Sequence, residues 1–254
     1  MVNLNRKPDS HKGENGKVGI IGGSVDFSGA PALSAQAALR TGSDLVKVLT
    51  SESVKNVVSA YSENLIVDSY PSDYLGLSGV ETALEKISWS GVAVIGPGLG
   101  SPDSEAVGEI VERTEVPLVI DADAIEPALN FDVSNAVLTP HRGETELIED
   151  EYGSIEDFVE EKDDVVVLLK GAEDRIYSED GVETVYKGHS GMTVGGTGDV
   201  LTGIVASLIS QGMSKREAAV KAAEINGLAG EKAGEEFGNG LVATDLLDEI
   251  SKFI

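Results

Sequence analysis

Short runs of apolar residues recur along the chain, each closed by glycine, proline or a polar cluster. KVGII at Lys17–Ile21, LVKVL at Leu45–Leu49, VAVI at Val92–Ile95, LVI at Leu118–Ile120, AVL at Ala136–Leu138 and VVVLL at Val165–Leu169 read as strands, with a weaker one at Asn64–Val67. Runs that are apolar at nearly every position predict strands covered on both faces. PALSAQAALRT, at Pro31–Thr41, is alanine-rich with proline at a natural first helical position. Longer helical patterns follow at Asp199–Gln211, Lys215–Glu236 and Thr244–Ile254, with Gly212 ending the first and Thr244 expected to cap the last. Arg175–Ser178 and Glu183–Tyr186 predict a hairpin turning through Glu179-Asp180-Gly181. Strands alternating with helices predict an α/β fold, a mostly parallel sheet with helices on both faces. No linker or repeat divides the chain, so one domain over residues 1–254 is expected.

Ligands of such sheets bind outside the carboxyl ends of the strands. Five polar or glycine-rich stretches fall there: Gly22-Gly23-Ser24, Gly96 to Gly100, Asp121-Ala122-Asp123, Thr139 to Glu144, and Lys170-Gly171. Together they predict one continuous cleft. A sixth stretch, GMTVGGTGDVLTG at Gly191–Gly203, opens the first of the long C-terminal helices. Glycine admits close approach of a ligand to the backbone, and a helix N-terminus offers unpaired N–H groups and positive potential. Gly195, Gly196, Thr197 and Gly198 therefore predict an anion site, most naturally for phosphate. The stretch lacks GxxxxGK[ST], and a carboxylate, Asp199, stands where that motif has its cation. Asp199 reads equally as a favourable first-turn acid or as a base that deprotonates a hydroxyl attacking phosphorus. No GxGxxG follows the strands at Lys17–Ile21 or Val92–Ile95, which argues against a Rossmann dehydrogenase.

Other polar residues keep two readings each. Asp121 and Asp123 fit Mg²⁺ held beside nucleotide phosphates, and Asp123 fits still better as a helix cap. Lys170 fits a phosphate contact or a solvated strand end. His141 and Glu144 fit a polar ligand or a turn that starts a helix.

Composition narrows the class. With 41% hydrophobic residues in 254, the chain can build a sizeable core. It has no cysteine, which excludes disulfides and thiol chemistry. Its three histidines, His11, His141 and His189, are scattered. The N-terminus is polar and no apolar run is long enough to span a bilayer, so a cytoplasmic, non-membrane protein is expected. Nineteen basic against 44 acidic residues give a net charge of −25, which opposes binding to nucleic acid or anionic membrane. Charge of that size repels itself in dilute salt and predicts a protein suited to a salty cytoplasm.

Taken jointly, HKGENGKVGIIGGS, FSGAPALSAQAALRTGSDLVKV, VIGPGLG, PLVIDADAI, LTPHRGE, VLLKGAED, GMTVGGTGDVLTG and ATDLL resemble the ADP/ATP-dependent NAD(P)H-hydrate dehydratases, in order and from His11 to Leu247. The resemblance implies a ribokinase-like three-layer sandwich with no fused epimerase domain. It implies repair of hydrated NADH or NADPH: the C6 hydroxyl of the S epimer is phosphorylated from ADP or ATP, and phosphate is then eliminated. Carried over by position, Asp199 is the base and Gly195, Gly196, Thr197 and Gly198 the anion hole. Ala30, Gly98 and His141, with Asp199, contact the hydrated dinucleotide. Lys170, Gly171, Ala172, Glu173 and Asp174, with Gly198, hold the nucleotide. Mg²⁺, a separate epimerase and a homotetramer are also implied; the metal ligands are not. The chain departs from the family pattern at His189-Ser190, where Asn-Pro is common, and at Arg142, where proline is common. A vitamin-precursor kinase of the same superfamily would share the glycine loop and the aspartate, and a non-catalytic nucleotide-binding protein would keep the fold.

Overall fold

The computed structural model describes residues 6–254. Nine strands form one sheet: β1 (Lys17–Ile21), β2 (Leu45–Ser51), β3 (Ile66–Tyr70), β4 (Val92–Ile95), β5 (Leu118–Ile120), β6 (Ala136–Leu138), β7 (Val166–Leu169), β8 (Asp174–Ser178) and β9 (Gly181–Val185). Their spatial order is β3-β2-β1-β4-β5-β6-β7-β8-β9. β1 to β7 are parallel, and β8 and β9 close one edge as an antiparallel hairpin.

Successive side chains of a strand point to opposite faces, and both faces are covered. Val18, Ile20, Val94 and Val119 meet α1 (Gly29–Arg40), α8 (Thr197–Ser210), α9 (Lys215–Phe237) and α10 (Ala243–Ile250). Ile21, Ile95, Ile120 and Leu138 meet α3 (Leu77–Ile87), α4 (Ser104–Arg113), α5 (Ile125–Ala128), α6 (Arg142–Tyr152) and α7 (Ile155–Glu161). A short α2 (Lys55–Ala60) flanks the β2–β3 edge. This is the ribokinase-like three-layer α/β sandwich that the resemblance implies. Helix α8 is apolar all round because it lies between the sheet, α1 and α9, and every residue from Val200 to Ile209 is buried. Gly203 permits that closeness: a Cβ there would lie 2.1 Å from the Ser34 carbonyl oxygen.

Strand order reverses between β1 and β4, so the loops leaving those strands open a crevice. Gly23 N donates to Pro97 O (2.9 Å), tying the two loops together. Gly96 has φ +130°, and a Cβ there would stand 1.7 Å from Asp121 O, so only glycine fits.

Several boundaries differ from those the apolar pattern predicts. β3 begins at Ile66 and runs to Tyr70 because pairing with Lys47–Ser51 of β2 defines it, whereas its own side chains are mostly half-exposed. The hairpin is tighter: Ser178 pairs with Gly181, whose positive φ (+100°) leaves only Glu179-Asp180 in the turn. Helix α8 starts at Thr197, two residues early, capped by a left-handed Gly196. Thr244 does not cap α10; the helix starts at Ala243, the side chain of Asp245 accepts from Val242 N (2.8 Å), and regular helix ends at Ile250. Helices α2 to α7 lie between the strands, outside the helical patterns singled out in the sequence; α3 and α4 each bury one face and expose the other.

Candidate active site

The N-terminus of α8 forms the floor of the cleft. Val200 N is the first amide of this region bonded back along the chain, to Gly196 O (3.1 Å). Among the described residues, the amides of Gly195 to Asp199 have no backbone acceptor outside the helix ladder, so they are open to an anion. The loop is rigid. Thr197 Oγ1 lies within bonding reach of Met192 O (2.8 Å) and Val194 O (3.2 Å). Gly196 combines φ +99° with no room for a side chain, since a Cβ would meet Leu33 and Ala243 at 2.7 and 2.8 Å. Gly195, by contrast, faces open space.

A buried ion pair stands behind this loop. Lys170 Nζ lies 2.7 Å from Asp121 Oδ1, and Thr202 Oγ1 donates to Asp121 Oδ2 (2.8 Å). Lys170 is therefore not a solvated strand-end lysine; its side chain is 19% exposed and packs over Gly198. Burial alone would lower the Lys170 pKa, but Asp121, Glu144 and Asp199 outweigh it and hold the ammonium above its ordinary value.

Asp199 sits in the first turn of α8 beside these groups. Burial, reinforced by the negative charges of Asp121 and Asp123 and opposed by Lys170, pushes its carboxyl up to about 7. That places it near the working range of a general base. Asp123 is also raised, chiefly by burial, although Gly100 N donates to its Oδ2 (2.8 Å). The helix cap expected of Asp123 is not made: its carboxylate braces the glycine loop after β4 instead.

On one side of Asp199 a cavity of about 690 Å³ opens between the β7–β8 turn, the segment 187–193 and helices α8 and α9. Lys170, Gly171, Ala172, Asp174, Thr197 and Gly198 all line it. Glu173 does not; it is exposed and faces Arg175 at 3.8 Å. Asp174 Oδ1 accepts from Gly171 N (3.0 Å), which shapes the turn, and burial pushes its carboxyl up to about 6. The opposite wall rests on glycines of α9: a Cβ at Gly227, Gly230 or Gly234 would strike Lys187, Met192 or His189 at 2.0–2.5 Å. His189, at the departure from the family pattern, stabilises this wall by accepting from Gly191 N at Nδ1 (3.1 Å). The spacing Gly227, Gly230, Gly234 is visible in the sequence, but only the structure shows that it seats another segment.

The residues expected at the dinucleotide lie outside that cavity. Ala30 and Gly98 adjoin, since a Cβ on Gly98 would lie 3.1 Å from Ala30 Cβ. Ser34 Oγ links their side of the cleft to the aspartate's backbone, reaching Asp199 O (2.9 Å) and Ala30 O (3.3 Å). His141 is bridged to Lys170 at the end of the sheet. It also caps α6, with Nδ1 accepting from Gly143 N (3.0 Å) and Glu144 N (3.2 Å), and leaves its Nε2 edge 3.5 Å from Glu144. Ala30, Gly98 and His141 thus lie outside the cavity lining, with Ala30 and Gly98 adjoining each other and His141 beside Lys170.

No three His, Asp or Glu side chains converge as a metal cage among the described residues. Both oxygens of Asp121 are engaged by Lys170 and Thr202. The donor set fits a Mg²⁺ that arrives on nucleotide phosphates and keeps much of its water, with Asp199 and Asp123 the nearby carboxylates.

The NAD(P)H-hydrate dehydratase family matches residues 18–252. The chain is 44% identical over 237 residues to the ADP-dependent (S)-NAD(P)H-hydrate dehydratase of Haloterrigena turkmenica, covering 93% of this chain and 92% of that one. It is 39% identical to the bifunctional NAD(P)H-hydrate repair enzyme of Methanothermobacter thermautotrophicus, covering 96% of this chain but 51% of the relative. The ADP/ATP-dependent NAD(P)H-hydrate dehydratase of Bacillus subtilis, crystallised with ATP and Mg²⁺, superposes with a TM-score of 0.80 at 25% identity, covering 98% and 92%. With a match across nearly its whole length and this degree of identity, the chain belongs to the NAD(P)H-hydrate dehydratase family.

Proposed function

We propose that this protein is a dehydratase that restores NADH and NADPH from the S epimers of their hydrates, using ADP and releasing AMP and phosphate. The observation that carries the reading is a half-buried carboxyl, pushed up to about 7, in the first turn of a helix whose leading amides are open. Asp199 takes the proton of the C6 hydroxyl as its oxygen attacks the terminal phosphorus of ADP. The bond from that phosphorus to the bridging oxygen breaks and AMP leaves. The amides of Gly195, Gly196, Thr197 and Gly198 hold the transferred phosphoryl oxygens, and Lys170 adds positive charge beside Gly198. The C6–O bond then breaks, the C5 proton is lost, and phosphate departs, leaving the C5=C6 double bond of the dihydronicotinamide. Mg²⁺ on the donor phosphates would neutralise their charge. Holding donor and hydroxyl together at Asp199 would supply the alignment that phosphoryl transfer requires.

Lys170, Gly171, Ala172 and Asp174 form the nucleotide side, with Glu173 at its solvent edge, and Ala30, Gly98 and His141 form the dinucleotide side. The names of the Haloterrigena and Bacillus relatives support ADP or ATP as donor. The bifunctional relative, about twice the length of this chain, supports a partnership with an epimerase. Cytoplasmic location and a homotetramer belong to the same reading, the latter open to light scattering. The catalytic assignment is tested with Asp199→Asn. Turnover falls by at least ~10³-fold while ADP affinity, set by amides, stays within about threefold. Near-normal turnover removes Asp199 as the base.

A further inference from the structure

Beyond its first turn, where Lys215 is buried, helix α9 carries one polar side chain on a buried face that is otherwise small and apolar. Between Ala218 and Gly234 its buried positions are alanine, valine, isoleucine and glycine, with Asn226 the exception. Asn226 is 5% exposed and lines the 690 Å³ cavity. Its Oδ1 is buried without a hydrogen-bond partner, and among the described residues its Nδ2 bonds to no protein acceptor. That buried, unpaired oxygen costs on the order of 1–3 kcal/mol. Asparagine is also a poor residue for a helix interior. Alanine, already used at Ala222, Ala223 and Ala229 on the same helix, would build the fold without that cost.

The position in the cavity says what the amide serves. The phosphate end of the cavity is marked by Gly198 and Lys170. One turn further along α8 stands Leu201, with Met192 of the neighbouring wall also lining the space. Polar residues such as Lys187, His189 and Thr193 line other parts of the same cavity, and apolar walls with a few placed polar groups are how sites take a flat heterocycle and fix its orientation. The Asn226 oxygen is closed off from the cavity surface, so the carboxamide must turn about χ2 to meet a base; turned so, it presents a donor and an acceptor side by side, the pattern that pairs with the amino group and ring nitrogen of adenine.

We propose that Asn226 is the base-anchoring residue of the nucleotide site, its carboxamide hydrogen-bonding the polar edge of the donor's purine. The inference rests on reading this cavity as the nucleotide site. It assigns Asn226 to specificity and binding, not to the chemical step.

The test is calorimetric titration of ADP into wild-type protein and into Asn226→Ala and Asn226→Leu, with melting of each ligand-free protein. Loss of one buried, ligand-directed amide should weaken ADP roughly tenfold or more in both variants. Ligand-free melting temperatures should stay level or rise, because an unpaired polar group has been removed. In the dehydratase assay the KM for ADP should rise while kcat stays within about threefold, the mark of lost uniform binding. ADP affinity unchanged in both variants overturns the assignment of Asn226 and leaves the nucleotide site standing. Lower melting temperatures matching the loss of affinity overturn it too, because the amide is then structural. Failure of wild-type protein to bind ADP overturns this inference and the proposed function together.

Discussion

Asp199→Asn should stabilise the ligand-free protein, and the gain should depend on pH. Asp199 is held at about 7 in the folded protein against an ordinary 3.8. At about 1.4 kcal/mol per pH unit, that difference makes its ionised form roughly 4 kcal/mol costlier in the fold than in the unfolded chain. Asp199 is partly exposed, so water screens some of this cost and about 2–4 kcal/mol is the expected range. The sign follows from a folded pKa that is raised. The protonated aspartate contributes its stability fully below about 4, and that contribution is lost as pH rises through about 7. Asparagine is neutral throughout and loses nothing. The melting temperature of the variant should therefore match wild type near pH 4 and exceed it by roughly 4–15 °C at pH 8, at about 2–4 °C per kcal/mol for a chain of this size. Differential scanning calorimetry of both proteins from pH 4 to 9 in 1 M KCl provides the assay. Asp174, raised to about 6 with no contribution from Asp199, titrates in both proteins and cancels in the difference. A difference that is flat with pH, or that favours wild type at pH 8, refutes the argument that burial and the charges of Asp121 and Asp123 strain this carboxylate. A strained base is the usual cost of function at an active site.

Lys170→Ala should lower stability by about 3–5 kcal/mol, because it leaves Asp121 buried with Thr202 as its remaining partner, and adding Asp121→Asn should recover most of the loss. By calorimetry the single variant should also lose ADP affinity more than dinucleotide affinity; equal losses contradict the placement of Lys170 on the nucleotide side. Raising KCl from 0.1 to 2 M shortens the screening length from about 10 Å to below about 3 Å. With a net charge of −25 the melting temperature should rise with that change, and a flat or falling response contradicts charge repulsion as a limit on stability.

The buried strands were legible because each is apolar at nearly every position, which only a sheet covered on both faces requires. β3, at the edge, was blurred because backbone pairing defines it more than its side chains do. The glycine loop was legible as a run of three glycines around one threonine next to Asp199, although only at Gly196 do positive φ and close neighbours leave few residues to choose from. Asp121 was not: a carboxylate at a strand end looks like a metal ligand until Lys170 and Thr202, 49 and 81 residues away, are seen to occupy it. Asn226 escaped for a related reason. A single asparagine in a helical run carries no local signal, and only the packing of α9 against α8 and the segment 187–193 shows that its amide is unpaired and lines the cavity. Sequence periodicity reports which face is buried, and it does not report what a buried polar group meets.

The central claim is tested most directly by near-ultraviolet recovery of dihydronicotinamide absorbance from hydrated NADH, with purified protein, Mg²⁺ and either ADP or ATP, at low and high salt. The account predicts recovery that requires nucleotide, is faster with ADP, and disappears in Asp199→Asn. No recovery in any mixture, from folded protein that binds nucleotide, would contradict it and favour a small-molecule kinase or a nucleotide-binding protein without this activity.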